Sequence, residues 1–97
     1  MPRYVSTIRF TPQGIAAVRD TLKRAATFKT AAANRGATVH ATYWTSGPFD
    51  GLIIFDAPDE ETATAVMLDL NAKGNVQTQT VRAFDDAEME QVLAKLE

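Results

Sequence analysis

His40 is the only histidine in the 97-residue chain. An unperturbed imidazole pKa of ~6.5 suits it to general acid or base chemistry near neutrality. It lies in "ATVHATYWTS" (37–46), a stretch that alternates as a strand does. Alternation puts Val39, Ala41 and Tyr43 on one face and His40, Thr42 and Trp44 on the other. The first set is apolar enough to pack under helices. The second set then occupies the open face, with the imidazole beside an aromatic pocket wall. The next segment, "TSGPFDG" (45–51), brings an aromatic, Phe49, and a carboxylate, Asp50, into a tight corner. Arg9 stands next to Phe10 and Arg82 two residues before Phe84, each on a strand. A strand arginine can hold a ligand carboxylate bidentately or lie solvated at a sheet edge.

Each of these residues also has a simpler role open to it. Aspartates in turns commonly accept backbone N–H groups, so Asp50 is expected to cap its own turn. Gly47 supplies the positive φ that such a corner needs. Phe49 can fold over the sheet end or reach across a subunit contact. Large aromatics such as Tyr43 and Trp44 dominate cores and interfaces. A lone histidine without a nearby carboxylate cluster does not make a metal site, and none is expected. Asp56, Asp59, Glu60 and Glu61 open a helix, where acids complement the dipole and cap N–H groups. Asp85, Asp86 and Glu88 read the same way. No Ser–His–Asp spacing, G-x-S-x-G, P-loop or GxGxxG occurs, and no cofactor is expected.

The elements that would position these groups follow from patterning. "RYVSTIRF" (3–10) is β-branched and aromatic, as strands are. Thr11 and Pro12 begin a helix, read from Gln13 to about Arg35. Its stripe is Ile15, Val18, Leu22, Ala25, Ala26, Ala32 and Ala33, and Gly36 follows it. The strand 37–46 comes next, then "GLIIF" (51–55), apolar on both faces. A second helix opens at "APDEE", carries Ala63, Val66, Met67 and Leu70, and stops at Gly74. "NVQTQTVRAF" (75–84) is the fourth strand. Asp85 and Glu88 form a capping box ahead of a tail helix with Met89, Val92, Leu93 and Leu96. This βαββαβ order predicts an α+β, ferredoxin-like sandwich with an extra C-terminal helix, one domain over 1–97, with the first and third strands central.

An unbroken apolar third strand implies that both sheet faces are covered. The crossover helices cover one. The tail helix could cover part of the other, and a second copy is the stronger candidate, giving a dimeric α+β barrel. Composition narrows the partners further. A formal charge of −2 with interspersed signs is no footprint for nucleic acid or an anionic membrane. The absence of cysteine excludes disulfides and thiolate chemistry. The N-terminus lacks a signal peptide's apolar core, and no apolar run is long enough to cross a bilayer. A cytoplasmic protein is expected.

"YWTSGPFDGLIIFDAPDEETA", "GNVQTQTVRAF" and the opening "YVSTIRFTPQGI" together resemble the GYD domain family, small bacterial proteins named for a Gly–x–Tyr–Asp turn. Gly47, Phe49 and Asp50 occupy that turn, with phenylalanine in place of tyrosine. The resemblance covers nearly the whole chain and implies a ferredoxin-like fold of dimeric barrel type, with no established activity. The turn and the Val76-x-x-x-Thr80 strand also look like the effector-binding domains of leucine-responsive regulators. That similarity implies small-molecule binding near subunit contacts, in a chain with no DNA-reading segment before its first strand. Three readings follow. The first is a small-molecule-binding oligomer with its pocket between sheet and helices. The second is a cofactor-free enzyme of the monooxygenase or isomerase kind, with His40 as acid/base. The third is an assembly protein without a ligand. The candidate site residues are His40, Trp44, Phe49, Asp50 and Arg9.

Overall fold

The computed structural model describes residues 1–97. Four strands, β1 (Arg3–Phe10), β2 (Thr38–Trp44), β3 (Gly51–Asp56) and β4 (Val76–Ala83), form one antiparallel sheet in the order β2-β3-β1-β4. The central pair is the first and third strands, as the sequence predicts. Helices α2 (Thr21–Asn34) and α3 (Glu60–Ala72) cross over between strands and cover one face. Beneath them lie Tyr4, Phe28, Ala32, Ile53, Phe55, Val66 and Met67, all buried. The fold is the ferredoxin-like sandwich.

The long first helix is broken, contrary to expectation. A short α1 (Pro12–Ala16) is followed by a 3-10 turn at Val18–Asp20, and only then by α2. Two anchors explain the break. Thr11 Oγ1 donates to Gly74 O at 2.6 Å, and Gln13 Nε2 donates to Lys73 O and Asn75 Oδ1, both at 2.9 Å. Gly14 fits only because it lacks a side chain: a Cβ there would sit 2.0 Å from Asn75 O. These contacts hold α1 at the start of β4, one sheet edge. α2 instead packs on β2, the opposite edge. A straight helix cannot serve both edges, so the chain turns at 17–20. The first half of the predicted stripe fails with it, while Ala32 of its second half is buried as expected. Ile15, Val18 and Leu22 are exposed, and Phe28 and Ala32 supply the buried side of α2.

Alternation in β2 is also interrupted. Val39 pairs with Phe55 and Ala41 with Ile54, so a bulge at His40 takes up one residue. A bulge shifts every later side chain to the other face. Val39 stays under the helices and His40 faces away from them, as expected. Ala41 and Tyr43 join the open face, beside Ile54 and Leu52, while Thr42 and Trp44 turn to the helix side, beside Ile53 and Gly51.

The open face carries an apolar rib of Val81, Val5, Ile54 and Ala41, flanked by Leu52 and Tyr43. No element of the chain packs across it. The tail helix α4 (Asp86–Leu93) has the expected capping box, with Asp85 accepting from Glu88 N–H at 2.8 Å. Arg82 clips it to the sheet through Glu88, 2.7 Å away. It covers neither face, and Met89, Val92, Leu93 and Leu96 remain exposed.

Candidate functional site

Two separate places in the molecule have the makings of a site, one on each face of the sheet. The first is a cavity of about 440 Å³ between the sheet and helices α2 and α3. Small side chains create it. The sheet-facing side of α2 offers Ala25, Ala31 and Ala32 around a single large residue, Phe28. Gly51 leaves bare backbone between Trp44 and Ile8 on the sheet below. Further walls include Phe10, Tyr43, Leu52, Val66 and Leu70. Lys23, Arg24, Arg35 and Lys73 line the cavity together with Asp20 and Asp69. Arg35 is ion-paired with Asp69, tying the end of α2 to α3. Arg24 donates to Ala17 O at 2.8 Å and to Thr21 Oγ1 at 3.4 Å, holding the helix break in place.

The second place is a polar cluster at one end of the open face. Asp56 Oδ1 accepts from Arg3 Nε at 2.9 Å, and Asp56 Oδ2 lies 2.6 Å from His40 Nε2. The bulge at His40 brings the imidazole to the carboxylate. Burial alone would raise the Asp56 carboxyl. Hydrogen bonds and charge from Arg3 and His40 outweigh burial and hold it below its ordinary value. An imidazole fixed through Nε2 by a carboxylate keeps Nδ1 free for another partner.

The five sequence candidates are therefore dispersed. Trp44 lines the cavity; His40, Phe49, Asp50 and Arg9 do not. His40 and Trp44 lie on opposite faces, so the expected pairing of imidazole and indole does not form. Asp50 accepts a backbone N–H, as read, but from a different donor. Its Oδ2 binds Phe10 N–H at 2.9 Å, and its own N–H donates to Ile8 O at 2.7 Å. It fastens the turn to the end of β1 instead of capping the turn itself. Thr45 closes the turn, donating from Oγ1 to Phe49 O at 2.6 Å, and Gly47 takes a φ of 133°. Phe49 is half-buried; Arg9 is exposed, without an ion pair.

Asp56 corrects a further expectation. Asp59 caps α3, accepting from Thr62 N–H at 2.7 Å, and Glu60 and Glu61 lie in the first turn. Asp56 belongs to β3 and the polar cluster. Its pairing with Arg3 could have been found by aligning the two central strands, since Arg3 falls directly opposite Asp56. Arg24 left no sequence signal, because an arginine on a helix is ordinarily solvated.

A split β-α-β sandwich with a fastened Gly–x–aromatic–Asp corner defines a small ferredoxin-like domain. The chain belongs to the GYD domain family, whose sequence profile matches residues 4–93. No curated protein matches it in sequence. Among solved structures it is similar to the crystal structure of MtbAldR, at 13% identity and a TM-score of 0.68. That likeness covers 88% of this chain and 54% of the other, so this chain spans about half the length of that neighbour. At this identity the likeness is one of fold. No helix is long and apolar enough to cross a membrane.

Proposed function

We propose that this chain is a small-molecule-binding module, acting in the cytoplasm as a homodimer joined through the open sheet face. One observation carries the binding reading: an apolar cavity of about 440 Å³ with charged groups at its margin. That size lies within the usual range for small-molecule sites, roughly 300–1,000 Å³. The resemblance to effector-binding domains agrees with it. The uncovered rib supports the dimer. Apolar surface removed from water is worth about 25 cal/mol per Å², and Val5, Leu52, Ile54, Tyr43 and Val81 lie together on one side. A thermal-shift screen of small organic acids, alcohols and amines against the intact protein tests the binding reading. At least one class should raise the melting temperature and alter Trp44 emission. A screen without a single stabilising compound would count against it.

The His40–Asp56–Arg3 cluster favours a second reading, a cofactor-free enzyme. A dimer closed over the open face would enclose an imidazole already oriented by a carboxylate, with Nδ1 available as acid or base. Under this reading His40→Ala abolishes turnover without weakening the binding of compounds found in the screen.

A further inference from the structure

We infer that the ligand of the helix-side cavity is an amphipathic monoanion, an apolar body ending in one carboxylate; this rests on the small-molecule reading above. Arg24 is half-buried and lines the cavity. A guanidinium has five N–H donors. The two protein acceptors of Arg24, Ala17 O and Thr21 Oγ1, are both uncharged. No carboxylate lies within ion-pair distance of it; Arg3, Arg35 and Arg82 each have one, and the other two arginines without one, Arg9 and Arg19, are exposed. A partly desolvated cation without a counter-ion is costly to keep, and the planar guanidinium fork matches a carboxylate.

The surroundings set the rest of the ligand. Phe28, Trp44 and Leu70 offer apolar and aromatic surface, which suits an alkyl chain or a fused ring. Arg35 is already neutralised by Asp69. Lys23 and Lys73 add positive charge at the margin, and Asp20 opposes it. The margin is cationic overall and favours an anion, and Arg24, the one lining guanidinium without a carboxylate, sets the number of carboxylates at one. The α-amino group of an amino acid gains nothing from a margin that is mostly cationic. The cavity is lined by residues of one chain alone, so one site per chain follows.

Trp44 is the only tryptophan, so its emission reports on the cavity directly. Isothermal titration of the intact protein with octanoate, 1-naphthoate and neutral octan-1-ol tests the proposal. Octanoate should bind about tenfold or more tightly than octan-1-ol, the range for one charged hydrogen-bonding partner. Trp44 emission should change with octanoate. Arg24→Gln should lose the preference, and Arg24→Lys should keep only part of it, because an ammonium has the charge without the fork. The ratio of octanoate to 1-naphthoate distinguishes an alkyl from an aryl carboxylate. Equal affinity for octanoate and octan-1-ol in the unaltered protein overturns the anion assignment and needs no variant. It leaves the cavity as a neutral-ligand site, so the broader reading survives. Failure of all three probes overturns this inference, and the broader reading falls only if the screen also finds nothing.

Discussion

The two faces of the sheet are built from the same four strands but have different chemistry. The helix face is closed by α2 and α3, buries Phe55 and Ile53 completely or nearly so, and still keeps a cavity because α2 presents alanines to it. The open face has comparable apolar side chains and nothing above them. Its polar groups stand at both ends, with Arg3, His40 and Asp56 bound to one another at one end and Thr7, Arg9, Gln77 and Gln79 at the other. On the helix face half-buried Arg24 lacks a carboxylate; on the open face Asp56 is shared by Arg3 and His40. Missing non-covalent partners therefore mean different things on the two faces. In the proposed function one side takes a small ligand and the other a second copy of the chain.

Substitutions at adjacent positions of β3 give the strongest contrast. Phe55→Ala removes a ring with no solvent exposure and should cost about 3–5 kcal/mol of folding stability, read by urea denaturation. Ile54→Asp, one residue away on the open face, should leave the subunit folded. It should weaken dimerisation by about 100-fold or more, since it puts an unpaired charge into the contact. Sedimentation equilibrium at micromolar concentration reads that change. A protein monomeric before the substitution would remove the reason for distinguishing the faces. Asp50→Ala should cost about 0.5–2 kcal/mol, the range for losing a side-chain bond to a backbone N–H. Asp50→Asn should cost much less, because its amide oxygen still accepts from Phe10. Equal losses would give the Asp50 charge a role that the backbone bond does not explain.

The smallest effect concerns pH. The Asp56 carboxyl is held below its ordinary value in the folded chain, so the unfolded chain binds more protons in that interval. Its stabilisation is complete above the unfolded value of ~3.9 and is lost as pH falls through the folded value. Asp56→Asn should flatten this part of the acid limb by about 0.5–1 kcal/mol. An unchanged acid limb would mean that the cluster contributes nothing to folding.

Much of the fold was legible in the sequence because its signals were local. Pro12, the Asp59 cap, the Asp85–Glu88 capping box and the apolar third strand each announce an element without tertiary help. The errors arose where a distant contact overrode a local pattern. The stripe of Ile15, Val18 and Leu22 looked continuous with α2, but Gly14 against Asn75 fixes α1 at the other sheet edge. The alternation of 37–46 looked regular, but a bulge at His40 reverses Trp44 and Tyr43. A single inserted residue in a strand has no compositional mark. The site was correspondingly less legible. Trp44 was recognised as a pocket wall but assigned to the wrong face, and Asp56 was read as part of a helix start. Arg24 becomes distinctive only when its neighbours are known to lack a carboxylate.

The most direct test of separate roles for the two faces is octanoate titration of Ile54→Asp by calorimetry. The account predicts a monomer that binds one octanoate per chain with the affinity of the unaltered protein. A monomer that has lost octanoate binding would place the site at the subunit contact and contradict it.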